Sequence, residues 1–368
     1  MTDAQKNNNS CAPLHYDIII VGQGIAGSLL AWELIQRKQQ VLVVDNHHIG
    51  SSSTVAAGII NPITGHRINL TSDFSHLLQH AKSTYTQLHE TFGQEFISLI
   101  PQARLIKNPG QKSYYQKRLQ QKEYSPFLEP LITSHTDFKQ NGLGVANIHQ
   151  SYRVHVKPLL VEVKKWLQQR GAMLEKSLKY DDISITNNLV TLSDSSKHIT
   201  ARSIIFCEGH QAIHNPWLQD LPFKLAKGEI LTVKTAKPVN TLLNWGNWLL
   251  PIDENSAYLG ASYQWHDSSL DVNQQVSDSL MNNLEEFTHI DASVIEHQAG
   301  IRPTTINRKL FIGQHPKHQN LYCFNGFGSK GCLTIPYYAK TLAQHFVDGS
   351  ALKNTMPELD SGLGLSLE

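Results

Sequence analysis

Cysteine is scarce in this chain, with four in 368 residues at positions 11, 207, 323 and 332. None forms a CxxC pair and most stand in apolar surroundings, so neither a disulfide scaffold nor a thiolate metal cluster is indicated. Buried free thiols are expected, as in a reducing cytoplasm. Long apolar runs are missing too; none approaches the roughly 20 residues that span a bilayer, so no membrane association is expected. Neither sign of charge dominates: 32 Lys and Arg against 31 Asp and Glu leave +1, with no global pull toward nucleic acid or anionic lipid. The 19 histidines show no HExxH or other metal-ligand spacing, and no metal site is expected. His47-His48 reads as a solvated loop. Met1 to Ser10 lacks the apolar core of a signal peptide, and residues 1–15 read as a disordered tail.

What the chain does carry is a core and a glycine turn. Hydrophobic residues make up 40% of it, enough for two domains or for one nucleotide domain with a large insertion. Asp17-Ile18-Ile19-Ile20-Val21 reads as a buried parallel strand. Gly22-Gln23-Gly24-Ile25-Ala26-Gly27 follows, then Ile25, Leu29, Leu30, Ala31 and Leu34 at helical spacing. A second apolar run, Val41 to Val44, stops at Asp45. Strand, glycine turn, helix, strand and acid in that order form the dinucleotide-binding fingerprint. Gly22 allows the tight turn, Gly24 the approach of a pyrophosphate, and Gly27 close helix–strand packing, while the helix N-terminus holds the phosphates.

The alternation then breaks. Gly50 to Thr54 is a small polar loop, and Phe74, Leu77, Leu78, Ala81, Tyr85, Leu88 and Phe92 mark a helix. Another helix begins near Pro158 and stops at Gly171. Short strands follow at 183–185, 189–192 and 203–207. From about Leu221 to Ala299 the pattern is mostly extended, with one helix near Asn273 to Phe287; this reads as a mixed or antiparallel sheet on the substrate side. Leu321 to Phe324 and a last helix to about Val347 return to nucleotide-domain character.

Between that strand and helix lies a second GxGxxG, Gly326-Phe327-Gly328-Ser329-Lys330-Gly331. A second βαβ unit would need a further strand ending in an acid about 20 residues on. Only 349–368 remain after the helix, without an apolar strand. The second match is therefore read as a helix-capping loop that grips another part of the same cofactor. A cofactor held at both ends of the chain is long and carries a second ring system, which favours FAD over NAD.

From Asp17 to about Val347 these segments resemble the FAD-dependent D-amino-acid oxidase superfamily, in its glycine oxidase and sarcosine oxidase branch. The resemblance rests on the serine-rich loop into Val55-Ala56-Ala57-Gly58, Val154-His155-Val156-Lys157-Pro158, Glu208-Gly209, Lys227-Gly228-Glu229, and Gly300-Ile301-Arg302-Pro303 through Ile312-Gly313. It implies an α/β fold: a Rossmann-like, glutathione-reductase-type FAD domain (16–95, 148–220 and 302–350) interleaved with an α+β substrate domain (96–147 and 221–301), and a C-terminal tail (351–368). It places Gly22, Gly24, Ile25, Ala26, Gly27, Asp45, Asn46, Ser52, Ser53, Ala57, Gly58, Ile60 and Gly209 against FAD, with Asp45 on the adenosine ribose. Gly328, Ser329, Lys330 and Gly331 would face the pyrimidine side of the flavin, where positive charge stabilises the reduced ring; Lys330 reads equally as an exposed loop lysine. No cysteine aligns with the covalent attachment of sarcosine oxidases, so the FAD is expected to be non-covalent.

The resemblance also implies the chemistry. Arg302 would hold a substrate carboxylate, a task suited to a planar bidentate donor, and orientation would do most of the catalysis; otherwise it is a structural arginine. Trp248 stands where glycine oxidase has a substrate-contacting tyrosine, and Tyr263 near the oxygen-activating lysine of sarcosine oxidases. Both read equally as core aromatics. Asn307 and Leu310 depart from the usual Asp and Pro. The implied activity is oxidation of a C–N bond in a small amine or amino acid with a carboxylate. Two alternatives remain. The Ala-Ala-Gly-Ile-Ile-Asn-Pro and Gly-Phe-Gly-Ser-Lys-Gly segments also look like the oxidase half of bifunctional tRNA wobble-uridine modification enzymes, with Lys107, Lys112, Lys117, Arg118 and Lys122 around Tyr114 and Tyr115 as a candidate RNA patch or a solvated helix face. A flavin-binding electron-transfer subunit is the other.

Overall fold

In a computed structural model the described residues are 14–350, except 140–141, 187–188, 195–196, 266 and 307. Cys11, Asn307 and the C-terminal tail lie outside them. Six helices accompany the strands: α1 (Ile25–Gln36), α2 (Phe74–Phe92), α3 (Pro109–Leu119), α4 (Val156–Gln169), α5 (Gln274–Phe287) and α6 (Gly331–Asp348). The fold is mixed α/β, built on two large sheets of eight and seven strands.

The eight-stranded sheet has a parallel centre. Leu14–Val21 lies between Val41–Asp45 and Lys197–Phe206, with Met173–Glu175 outside the former and His318–Asn325 beside the latter. The first strand begins earlier than expected: Leu14 and His15, assigned by sequence to the tail, pair with Ile199 and Thr200. Lys197–Phe206 is ten residues long, and its two halves serve different neighbours. Its first half pairs antiparallel with Val190–Asp194, its second parallel with His318–Asn325. Buried on both faces, the central strands read as continuous Ile/Val runs. One face packs against α1, α2, α4 and α6; α1 is apolar nearly all round because it lies under α6 and α4.

The seven-stranded sheet runs Ala292–Arg302, Ala226–Thr235, Ser256–Gly260, Trp248–Pro251, Leu242–Asn244, Gln102–Leu105, Val145–Ile148. All its pairs are antiparallel except Leu242–Asn244 with Gln102–Leu105. Leu280 and Leu284 of α5 cover one face, while Ile230, Leu250 and Trp248 look the other way, toward the cleft between the sheets. Asn273 caps α5 by accepting from the Gln275 amide (2.9 Å). The strands at 102–105 and 145–148 escape a reading of alternation because buried polar groups interrupt them. Arg104 is buried, donates to the Gly65 carbonyl (2.7 Å), and burial lowers its pKa to about 10. Among the described residues no helix is long and apolar enough to cross a membrane.

Candidate functional site

The carboxyl ends of four parallel strands, Val21, Asp45, Phe206 and Asn325, open on one cleft of 1430 Å³ that continues to the inner face of the second sheet. Ligands of open α/β sheets bind at such strand ends. At one end Gly22 turns with φ +99°, and a Cβ there would stand 2.6 Å from the Cys207 carbonyl oxygen. α1 then starts at Gly24 with no side-chain cap from that residue and no acid in its first turn, leaving its positive end open to an anion. Ser53, carried in on the serine loop, accepts from the Ile25 amide (3.1 Å). Asp45 is already engaged by backbone: one oxygen accepts from the Gln23 amide (2.8 Å) and the other from the His48 amide (2.7 Å). His47-His48 is thus tied to the strand end, with His47 paired to Glu175. Gly27 alone among the expected cofactor residues is off the cleft wall; its missing Cβ would lie 1.8 Å from the Gly22 carbonyl oxygen, so it serves the packing of α1 on the turn.

At the other end α6 starts behind a short 3-10 turn, Gly328–Lys330, again without a side-chain cap or an acid in its first turn. Asn325 ties this loop to the opposite strand end: its Nδ2 donates to the Gly209 carbonyl (2.8 Å) and its Oδ1 accepts from the Gly326 amide (2.8 Å). Lys330 lines the cleft, and partial burial, with Arg308 nearby, lowers its pKa. Gly22, Gly24, Ile25, Ala26, Asp45, Asn46, Ser52, Ser53, Ala57, Gly58, Ile60, Gly209 and Gly328 to Gly331 therefore all line one continuous cleft. Two helix ends with no side-chain cap from their own N-cap residue and no acid in the first turn, one at each end of a long cleft, match a dinucleotide whose pyrophosphate and second ring both need positive ends. FAD has that length and that pair of poles.

The second sheet supplies the remaining wall. Arg302 is the last residue of Ala292–Arg302 and leans over Gly228, where a Cβ would come within 2.4 Å of the guanidinium carbon. Its Nη1 donates to the Lys227 and Ser262 carbonyls (3.5 and 3.4 Å), and the Tyr263 ring covers it at 5.0 Å. No acidic residue pairs with it among the described residues. Burial lowers its pKa and Tyr263 opposes that shift. Trp248 lies across Gly260 on the cleft wall. Tyr263 is 49% exposed, so it belongs to the cleft rim and is not a core aromatic.

The candidate RNA patch on α3 is not one surface. Tyr115 is fully buried and donates to the Glu129 carbonyl (2.7 Å), Lys107 sits over the Phe287 ring (4.6 Å), and Arg118 is held by Gln121 and Asn69. A different basic–aromatic group, which sequence reasoning misses, stands at the cleft mouth. Lys224 lies over the Trp265 ring (4.4 Å), with Arg308 and Lys330 on the same rim. These residues come from separate segments, so no local pattern announces them. Glu208 is also new as a site residue: half-buried on the nucleotide side, it accepts from the Tyr180 hydroxyl (2.9 Å) and Asn215 (2.8 Å), and desolvation raises its pKa to about 7. Cys207 and Cys332 line the cleft as free thiols, burial pushing both up, Cys332 to about 12.

The model of one protein family, described as FAD dependent oxidoreductase (DAO), matches residues 17–345. Among solved structures the chain is similar to glycine oxidase from Geobacillus kaustophilus, with a TM-score of 0.83 and 19% identity over 96% of this chain and 100% of that one. It is also similar to iminodiacetate oxidase from Chelativorans sp. BNC1, with a TM-score of 0.72 and 19% identity over 92% of this chain and 98% of that one. Among curated proteins it is 23% identical to the uncharacterized oxidoreductase YurR of Bacillus subtilis, over 89% of this chain and 93% of that protein. It is equally 23% identical to the tRNA 5-methylaminomethyl-2-thiouridine biosynthesis bifunctional protein MnmC of Legionella pneumophila, over 93% of this chain; there it spans only 57% of the relative's length.

Proposed function

The chain belongs to the DAO family of FAD dependent oxidoreductases, and from that premise we propose that it oxidises the C–N bond of a small amino acid or N-substituted glycine. The observation that carries this reading is Arg302, a half-buried arginine with no acidic partner among the described residues, opening on the same cleft as both glycine loops. An unpaired guanidinium in such a place favours a ligand carboxylate, and its fork fixes the ligand's orientation as well as its charge. The two glycine loops would hold FAD, which would supply a two-electron acceptor for the hydride of the substrate's α-carbon; water would then hydrolyse the resulting imine to an oxo acid and an amine.

The chain's own residues supply placement. Arg302 anchors the carboxylate, Trp248 walls the pocket, and Lys330 with the α6 N-terminus provides positive charge at the far end of the cleft. Among the described residues the acids and histidines of the lining, Asp45, Asp73, Glu208, His48 and His210, stand on other segments than Arg302 and Trp248. That distribution supports a reaction driven by orientation, without a dedicated base beside the arginine. Cys207 and Cys332, kept as thiols by burial, support non-covalent FAD. The test is anaerobic bleaching of the bound flavin across glycine, sarcosine, iminodiacetate, D-amino acids and carboxymethylaminomethyl-uridine. Bleaching by one or more small amines is expected. Tight flavin binding with no bleaching by any of them would sink the reading in favour of an electron-transfer subunit.

A second reading rests on the mouth of the cleft. Lys224, Arg308 and Lys330 beside exposed Trp265 and Tyr263 form a basic–aromatic rim that suits a nucleic-acid substrate, and the likeness to MnmC points the same way. Salt-dependent binding of tRNA, weakened by Lys224→Ala and Arg308→Ala, distinguishes it.

A further inference from the structure

Arg302 reaches the cleft from a seat that spans three strands. Gly300 pairs with Gly228, and the segment beyond Ser256–Gly260 continues the ladder on the other side. There the Ser262 amide donates to the Glu229 carbonyl (3.2 Å), and Lys227 and Gln264 exchange both amide–carbonyl bonds (2.8 and 3.0 Å). Tyr263 is therefore opposite Gly228. A row of Gly300, Gly228 and Tyr263 crosses the sheet, with side-chain bulk at only one end. The Arg302 guanidinium fills the space above Gly228, its face against the glycine backbone, and its carbon lies 5.0 Å from the centre of the Tyr263 ring. Its Nη1 is spent on two carbonyls, and its Nη2 has no hydrogen-bond partner among the described residues.

We propose that Tyr263 is a positioning residue for Arg302: its ring presses the guanidinium flat onto Gly228 and leaves the Nη2 edge presented to a carboxylate in the cleft. The proposal rests on the reading of Arg302 as the carboxylate anchor and adds what aims it. An arginine has several rotatable bonds, and a fork is useful only when those are fixed before the ligand arrives. Stacking on an aromatic face supplies that restraint while leaving the in-plane donors free. The opposite face of the same strand secures the segment that carries the ring. Lys227, almost wholly buried, donates through Nζ to Asp267 (2.6 Å) and Ser269 (3.2 Å), and buried Glu229 accepts from the Asn273 amide (2.9 Å). One strand thus seats the arginine on its cleft side and latches the tyrosine's segment on its back.

The experiment titrates acetate and benzoate into the flavin-loaded protein and follows the perturbation of the flavin absorption spectrum. Arg302→Met is expected to abolish the carboxylate-dependent change, and Tyr263→Leu to weaken binding about five- to tenfold, the range of a partly desolvated cation–π contact. Tyr263→Phe keeps the aromatic face and is expected to bind within about twofold of the unaltered protein. A half-exposed rim residue is a mild substitution for the fold, and an unchanged melting temperature confirms it. If Arg302→Met loses binding while Tyr263→Leu does not, the positioning role is overturned and the anchor stands. If Tyr263→Phe fails as badly as Tyr263→Leu, a hydroxyl contact replaces stacking and the proposal is again overturned. No spectral response in the unaltered protein, or none lost in Arg302→Met, overturns the anchor and the proposal together.

Discussion

The two ends of the cleft are made of different materials. At the Gly22–Gly27 end the wall is mostly backbone: a turn, a strand end and the open terminus of α1, with Ser53 as the main side chain brought in. At the Arg302 end the wall is side chains, and the arginine leans on carbonyls 40 and 75 residues away in the chain and on the Tyr263 ring. The two GxGxxG matches show the same contrast within one pattern. The third glycine of the first lets α1 touch the turn backbone, with 1.8 Å between an added Cβ and the Gly22 oxygen. The third glycine of the second meets the tip of Ile335, at 3.0 Å, and the Phe327 Cβ at an ordinary 3.6 Å. One is required by rigid backbone, the other faces a side chain that can move.

Substitution at those two positions has very unequal consequences. Gly27→Ala drives a methyl into main chain that cannot withdraw without dismantling the turn, and is expected to cost about 3 kcal/mol or more and most of the bound flavin. Gly331→Ala only asks Ile335 to change rotamer and, at the start of a helix, is expected to cost under about 1 kcal/mol. Flavin absorbance per protein and the melting temperature read both; equal losses would erase the distinction. At the other end Arg302→Lys keeps the charge and loses the fork. It is expected to lower kcat/KM for a carboxylate substrate about 100-fold, the worth of one charge-assisted hydrogen bond, with flavin content unchanged.

The same difference in material explains which parts are legible in the sequence. Asp17 to Asp45 is one local unit, so its periodicity and its glycines are enough to name its elements. The second glycine loop is legible as well, because its pattern stands between an apolar strand and an amphipathic helix. Arg302 and Lys330 stand out only through a family resemblance, and nothing local marks Gly228 as the arginine's seat. Sheet register makes that contact, and register is a long-range property. The strands at Gln102–Leu105 and Met173–Glu175 are too short, and in the first case too polar, for alternation to show. The rim of Lys224, Trp265 and Arg308 escapes for the same reason, since its three segments meet only in space. Tyr263 is ambiguous between core and pocket on its pattern alone; its exposure decides for the pocket rim.

Glu208 sharpens the comparison by being a side-chain device at the backbone-built end. Its carboxyl, ordinarily near 4.5, is raised to about 7, with burial as the largest cause and the Tyr180 and Asn215 hydrogen bonds opposing it. The folded protein therefore holds this proton more tightly than the unfolded chain. Its contribution is complete below about pH 4.5 and is lost as pH rises through about 7, a change on the order of 3 kcal/mol. Glu208→Gln has no such proton to lose. Its melting temperature is expected to start lower at pH 5, where Asn215 faces an amide in place of an acid, and to lack this component of the decline toward pH 8. Parallel pH profiles for the two proteins would show that burial does not control this carboxyl.

The smallest expected effect separates the two helix ends. Ser53 accepts from the Ile25 amide, so α1 is capped by a hydroxyl from 28 residues further along the chain. Ser329 holds the corresponding place beside α6, but it is exposed and its hydroxyl has no hydrogen bond among the described residues. Ser53→Ala strips an acceptor from a buried amide at a helix start and is expected to cost about 1 kcal/mol in denaturant unfolding. Ser329→Ala removes nothing the fold uses and is expected to stay within about 0.5 kcal/mol of the unaltered protein. The order matters more than the size. A helix end whose first amide already has a protein partner needs less from its ligand to be stable than one left wholly open. Equal losses from the two serines would mean that α6 is capped as firmly as α1, and the open positive pole assigned to the Gly328–Gly331 loop would lose its basis.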